Sequence, residues 1–536
     1  VRKSCPLIVV VTLAAIAVNA RNAAAAASCE SLSTLSLPHT AIALANVVDA
    51  GSFVSLLPAR GGGAALPAAG RGRGEGAGGG AQGPGRGGRG ARPASPFADL
   101  PAFCRVVATL MPSVDSEIKF ELWMPVAGWN GKFVIPGNGG FAGAIAPAGL
   151  AAALRSGYAA ATTDTGHEGG SGIFMLDHPE RLTDFADRAI HETAVQGKTI
   201  VAAFYGSGPK TSYFNGCSTG GRQALTAAQR FPGDFDGIVA GAPAIYASHQ
   251  TAGQIWIWQA THKDEASFLA PAKLQVLHDA VMTACDAIDG VKDGVLENPT
   301  RCKFDPKVAQ CKDADGPSCL TAAQVEAARK IYAGPKNPRT GEQIFQGLFP
   351  GSELGWAASA GAQPVGYALD FFRYVVFRDP KWDPMTLNYD EDIARADKVA
   401  GALTAIDPDL SKFLSRSRLL MYTGWGDPGI PPGYLVEYYK NVLARTKVDN
   451  VRDSVRLFMV PGMGHCGGGE GTSTFDMLGA LDRWVTSGQA PDQIAASRVR
   501  DGVADRTRPL CPYPQVATYK DSGSTDEAAS FVCKRR

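Results

Sequence analysis

The sequence predicts an α/β fold, a parallel sheet covered by helices and split by one long insertion. Three observations carry that expectation. From about residue 118 to 244, strand-like apolar runs alternate with segments of helical period. From 245 to 415 the alternation stops, giving way to aromatics, closely spaced cysteines and helical stretches such as "TAAQVEAARKIYAG". It resumes at "RLLMYTGWGDPGIPP" and "VRLFMVPGMGHC", so the segments flanking the insertion belong to one sheet. No internal repeat is visible.

The elements follow in order. Residues 1–27 read as a signal peptide: Arg2 and Lys3 precede the apolar run "CPLIVVVTLAAIAV", and "NAAAAAS" supplies small residues for cleavage near Ala27. The run is too short for a membrane-spanning helix. An exported chain, secreted or periplasmic, is therefore expected, with no membrane association after cleavage. The first part of the core covers 28–244. Within it, 61–92 is a flexible insertion, about half glycine with interspersed arginine, that cannot bury apolar surface. Order is expected after it. "IKFELWMPV" alternates as a strand, "GKFVIPGNGGFAG" is a strand running into a glycine loop, and "YAAATTDTGH" is a strand and turn. "AIHETAVQGKTIVAAFYG" has helical spacing, "TSYFNGCSTGGRQALTAAQRF" reads as strand, sharp turn and helix, and "FDGIVAGAPA" as a buried strand. The insertion, 245–415, forms a lobe of its own, and 416–536 completes the core.

At 536 residues the chain can bury a large core. Its net charge of +1 gives no broad electrostatic reason to bind nucleic acid or an anionic membrane. Of 11 cysteines, Cys5 leaves with the signal segment. The remaining even number, in an oxidising compartment, points to full pairing with connectivity left open. No CxxC or His-x3-His spacing is present, which argues against zinc.

Ser218 stands in Gly-x-Ser-x-Gly, between a strand-like "SYF" and an alanine-rich helix. That is the context of a nucleophile elbow, the sharp turn that lifts a serine hydroxyl out of an α/β-hydrolase sheet. A hydroxyl nucleophile needs a base, and the base needs an orienting carboxylate. His465 ends a strand-like run in a glycine loop late in the chain, and Asp427 ends the strand "LLMY". The order Ser218, Asp427, His465 is that of α/β-hydrolases. Asp427 also fits a turn-capping role before Pro428. The oxyanion would be held by the amide of Thr219 and by one from "GNGG", Gly140 in preference to Gly139. Cysteines adjoin both ends of this relay, Cys217 beside Ser218 and Cys466 beside His465. If serine and histidine share a hydrogen bond, the two cysteines lie within disulfide range and staple the two loops together. "CDAIDGVKDGVLE" places Asp286, Asp289 and Asp293 in one short loop. Its spacing departs from an EF-hand and lacks a late glutamate in register, so spacing alone fits a solvated acidic loop as well as a metal site.

The paired Cys-Ser and His-Cys elements around an intervening Asp resemble the tannase and feruloyl esterase family. The resemblance runs from "LPAFCRVVATLMP" through "WNGKFVIPGNGGFAG", "TDTGH", "NGCSTGGRQAL", "YTGWGDPGIPP" and "VPGMGHC" to "RTRPLCPYPQVATYK". It implies a serine esterase with an α/β-hydrolase core and a large inserted lid domain, acting on small esters of aromatic acids. Feruloyl or hydroxycinnamoyl esters come first, gallate and terephthalate monoesters second. The resemblance also implies a structural lid Ca2+, held by the side chains of Asp286, Asp289 and Asp293 and the carbonyls of Val291 and Val295, with no organic cofactor. Besides Cys217–Cys466, it implies the pairs Cys29–Cys104, Cys285–Cys302, Cys311–Cys319 and Cys511–Cys533. Trp356, Phe371, Phe372 and Tyr374 fall in the lid and would either stack on a substrate ring or form its core. A serine peptidase, or a binding protein on the same scaffold, are the readings from other classes.

Overall fold

The computed structural model describes residues 27–55 and 95–535. The segment expected as a signal peptide, up to residue 26, and the glycine- and arginine-rich stretch 61–92 lie outside the described residues. Nine strands form the main sheet: β1 Thr40–Val48, β2 Phe103–Leu110, β3 Ile118–Pro125, β4 Lys132–Pro136, β5 Ala159–Thr163, β6 Thr211–Cys217, β7 Gly237–Gly241, β8 Arg418–Gly424 and β9 Val455–Val460. Their order across the sheet is β1-β2-β3-β5-β4-β6-β7-β8-β9. From β5 onward in that order every pairing is parallel. The parallel sheet read from the sequence is therefore only part of the whole, five of its eight pairings. β1, β2, β3 and β5 pair antiparallel in succession, because β2 and β3 are joined by a loop too short for a crossover. Order also precedes residue 61: β1 forms the sheet's edge, and Cys29–Cys104 ties its approach to β2.

The parallel strands are connected by helices on both faces, as parallel pairing requires. Pro147–Arg155 follows β4, Ala189–Tyr205 precedes β6, and Thr219–Arg230 follows β6. Strand side chains alternate between two cores. Phe133 and Ile135 of β4, Ile238 and Ala240 of β7, and Leu419 and Met421 of β8 face one core with Ile200, Val201 and Leu225. The intervening Val134, Val239 and Leu420 face the other, with Leu150, Leu481 and Trp484.

Between Gly241 and Arg418 the chain adds no strand to the main sheet. It builds helices instead, among them Ala247–Thr261, Pro271–Cys285, Ala322–Ala333 and Glu391–Val399. Two apolar clusters hold this insertion together, one around Phe371, Phe372 and Trp382, the other around Leu277, Ile331 and Trp356. Trp356, Phe371 and Phe372 are each 0% exposed, so they are core of the insertion and have no face left for a ligand ring. Tyr374 is half-buried. Among its contacts with the sheet's loops, two lie beside the site. Tyr367 stacks on Phe141 of the glycine loop after β4, with ring centroids 4.2 Å apart. Gln254 donates to the Gly429 carbonyl, 2.9 Å away, in the loop after β8.

Candidate active site

β6 ends at Cys217 and the next helix begins at Thr219, leaving Ser218 alone to make the turn. It does so at φ 65° and ψ −121°, a conformation that costs a non-glycine residue roughly 1–3 kcal/mol. The flanking glycines make the turn possible. A Cβ at Gly216 would lie 2.6 Å from the Gly220 carbonyl carbon, and one at Gly221 would lie 2.3 Å from the Gly241 oxygen. Strand and helix backbones are in direct contact, so the serine is pushed outward.

His465 sits in the loop after β9, and its Nε2 is 2.9 Å from Ser218 Oγ. Its Nδ1 is 2.9 Å from Oδ2 of Asp427, in the loop after β8. The other Asp427 oxygen accepts the N–H groups of Gly429 and Ile430 at 2.8 and 2.9 Å. Asp427 is 0% exposed whereas the histidine side chain is 24% exposed, so the carboxylate is shielded and the imidazole is reachable from outside. Because a carboxylate only accepts, Nδ1 carries the proton and Nε2 is left to accept from the serine hydroxyl.

Burial disfavours the imidazolium, but the charge and hydrogen bond of Asp427 outweigh it, and the His465 pKa is raised above the ordinary histidine value. The neutral imidazole is the form that accepts a proton. The rate should therefore rise with pH through a pKa above about 6.5. A kcat/KM profile recorded from pH 5 to 9 checks this, and Asp427→Asn should move the acid limb downward while reducing the plateau.

Cys217 and Cys466 are disulfide-bonded, with Cα atoms 6.0 Å apart across a sequence separation of 249. The bridge joins the residue before Ser218 to the residue after His465. The other described bridges are Cys29–Cys104, Cys285–Cys302, Cys311–Cys319 and Cys511–Cys533.

The glycine loop after β4 runs beside the elbow. Thr219 Oγ1 donates to the Gly140 carbonyl at 3.0 Å, which brings both oxyanion candidates to the same place. Gly140 has φ +53°, the left-handed region that favours glycine. Three polar residues here escaped the sequence reading. Asn138 and Gln223 bond each other across the loop and helix, and His167 Nε2 donates to the Phe141 carbonyl at 3.0 Å. Only the spacing of Gln223, one helical turn after Thr219, hints at this in the sequence.

The acidic loop packs against the loop that carries His465: a Cβ at Gly462 would lie 3.1 Å from Val295 Cγ1. Asp289, Val291, Asp293, Val295 and Glu297 line a cavity of about 30 Å3, room for a water or an ion. Glu297 lines it too, although its spacing is out of EF-hand register. The loop's carboxylates also brace its own backbone: Asp286 accepts the N–H groups of Asp293 and Gly294 at 3.3 and 3.0 Å, and Asp289 those of Val291 and Glu297 at 2.9 and 3.1 Å. Arg506 and Arg508 close the opposite side, and Arg508 donates to Asp293 Oδ2 at 2.5 Å. Among the described residues, no three His, Cys, Asp or Glu side chains already converge as a metal centre. The cavity's donors are nonetheless all oxygen on the acidic loop, the set a hard cation such as calcium takes.

A serine, an imidazole and a buried carboxylate in file at the carboxyl ends of parallel strands place this molecule among the α/β-hydrolases. The profile of the tannase and feruloyl esterase family matches residues 104–534. An uncharacterized esterase of Xanthomonas campestris pv. campestris is 39% identical over 97% of this chain and 94% of its own. The Aspergillus terreus protein named "Probable feruloyl esterase B-1" is 34% identical over 80% of this chain and 86% of its own. The crystal structure of feruloyl esterase B from Aspergillus oryzae superposes with a TM-score of 0.82 at 29% identity, covering 94% of this chain and 99% of that one. The tannin acyl hydrolase of Aspergillus niger shares the fold, with a TM-score of 0.72 at 20% identity over 93% and 92% of the two chains. The chain belongs to the tannase and feruloyl esterase family, and it is a carboxylic ester hydrolase.

Proposed function

We propose that this esterase hydrolyses esters of aromatic carboxylic acids, of feruloyl or related hydroxycinnamoyl type, through an acyl-enzyme on Ser218. The observation that carries the mechanism is the unbroken relay from Ser218 Oγ to His465 and on to Asp427, 2.9 Å at each step. Ser218 Oγ bonds to the ester carbonyl carbon as its proton passes to His465 Nε2. The carbonyl oxygen becomes an oxyanion, held by the Thr219 amide and an amide of the glycine loop, Gly140 first. The carbon–oxygen ester bond then breaks, and the leaving alcohol takes the proton from His465. Water repeats the sequence on the acyl-serine, releasing the acid. Asp427 keeps its hydrogen bond to Nδ1 throughout and fixes the imidazole's tautomer.

The substrate class is supported by relatives that carry the name feruloyl esterase. The insertion, residues 245–415, acts as a lid: it contacts both the glycine loop and the acid loop, so it is placed to wall the acyl site. Export is supported by five disulfides, which persist in oxidising compartments. A rate panel across methyl ferulate, methyl gallate, mono(2-hydroxyethyl) terephthalate and short alkyl esters tests the reading. Methyl ferulate should lead in kcat/KM by about tenfold or more. Preference for the alkyl esters would reject the aromatic assignment, and preference for gallate or terephthalate would move it within the class.

The acidic loop is proposed to hold a structural calcium through the side chains of Asp286, Asp289 and Asp293 and the Val291 and Val295 carbonyls, with Glu297 beside them. The ion would supply charge neutralisation there and take no part in ester chemistry. Chelation should lower the melting temperature and added calcium restore it, by about 2.7 kcal/mol of linkage at a hundredfold excess over Kd. An unchanged melting curve together with no metal by elemental analysis would count against the site.

A further inference from the structure

The glycine loop after β4 is fastened to the nucleophile's helix by side chains outside the triad. Gln223 is 1% exposed and stands one turn after Thr219. Its Oε1 accepts the backbone N–H of Asn138 at 3.1 Å, and its Nε2 donates to Asn138 Oδ1 at 3.2 Å. Asn138 in turn directs its Nδ2 to the Thr163 carbonyl at 2.8 Å. These partners orient both amides without ambiguity: Asn138 Nδ2 faces a carbonyl, so Oδ1 faces Gln223, and Gln223 Oε1 faces an N–H. The two bonds close a ring between one loop residue and one helix residue. Thr219 adds a second tie, its hydroxyl to the Gly140 carbonyl at 3.0 Å.

No side-chain layer separates loop from helix. A Cβ at Gly137 would lie 2.7 Å from Gly220 Cα, and one at Gly220 would lie 3.0 Å from the Asn138 carbonyl oxygen. Backbone slides on backbone here, and specific hydrogen bonds must set the register. They also sort the loop's donors. Gly137, Ala142 and Gly143 give their N–H groups to the carbonyls of Asn215, Gly139 and Gly169 at 2.9, 2.9 and 2.6 Å. Gly139, Gly140 and Thr219 make no backbone N–H bond among the described residues and remain available beside Ser218.

We propose that Gln223 is a positioning residue for transition-state stabilisation. Its paired bonds to Asn138 hold the free amides of the glycine loop where the oxyanion forms. This rests on the mechanism proposed above. The oxyanion exists only after attack, so a loosened clasp weakens the transition state and leaves ester binding nearly intact.

Gln223→Met keeps the side chain's bulk and removes both bonds. It should lower kcat about a hundredfold, the cost of roughly 1 Å of misplacement, with KM within about threefold. Affinity for an aryl boronic acid, which forms a tetrahedral adduct on serine, should fall by the same factor. Affinity for free ferulate should hold. If the methionine variant does not fold, Gln223→Glu retains the acceptor and loses the donor, and the same measurements apply with a smaller loss in kcat. A folded variant with native kcat, or one whose loss lies in KM with boronate affinity unchanged, overturns the proposal. Ser218→Ala, run alongside, tests the underlying mechanism separately: persistent turnover there rejects the serine mechanism whatever Gln223 does.

Discussion

Replacing Ser218 with alanine is expected to lower kcat by roughly 10^4- to 10^6-fold, with the melting temperature within about 2 °C of native. In the proposed mechanism the hydroxyl is the group of the relay that bonds to the substrate. Its nearest sulfur, on Cys217, is locked in a disulfide. His465→Ala should cost a comparable amount, since a serine hydroxyl at neutral pH attacks only as its proton leaves. The double variant should be no slower than either single one, because the groups act as a unit. Steady-state rates on methyl ferulate with circular dichroism on the same samples decide it. Near-native turnover in folded Ser218→Ala would mean that another nucleophile does the chemistry.

Removing the Cys217–Cys466 bridge, with alanine at both positions, should reduce activity by about a hundredfold at a temperature where the protein stays folded. The chain-entropy model gives this long loop about 5 kcal/mol as an upper figure, so the melting temperature should also fall, by roughly 5–10 °C. The loss in rate is expected to exceed the loss in folded fraction for a geometric reason. Ser218 and Cys466 both hold positive φ, at 65° and 60°, so the two loops are strained where the bridge joins them. Released, each loop can relax, and the 2.9 Å contact between His465 and Ser218 is the first geometry at risk. Peptide mapping without reduction, followed by rates per folded molecule, is the check. A free thiol at either cysteine in active protein, or a full rate without the bridge, would refute the staple.

Much of the site was legible because its signals are local. The elbow glycines, the strand before Ser218 and the helix after it occupy a dozen consecutive residues. Asp427 and His465 each end a strand-like run, and the cysteines adjoining the relay tie its two ends on paper before any coordinates exist. The strand period was equally plain where strands are buried on both faces, as in β7 and β8. It failed for β1, where Thr40–Val48 reads TAIALANVV, a largely apolar run with no polar alternation and no buried residue. Trp356, Phe371 and Phe372 were ambiguous for the opposite reason: an aromatic run looks alike whether it fills a core or lines a pocket. Glu297 was not legible at the cavity because its arrival there depends on the path of the folded loop, which spacing does not give.

By itself, the sequence determined the α/β class, the family and the chain order of the proposed triad. Strand order decided the rest. Asn138 and Gln223, 85 positions apart, meet because β4 lies directly against β6, although β5 comes between them along the chain. That adjacency leaves no mark in either residue's neighbourhood. Periodicity and side-chain chemistry are written residue by residue, whereas the neighbours of a strand follow from how all nine strands and their crossovers pack at once.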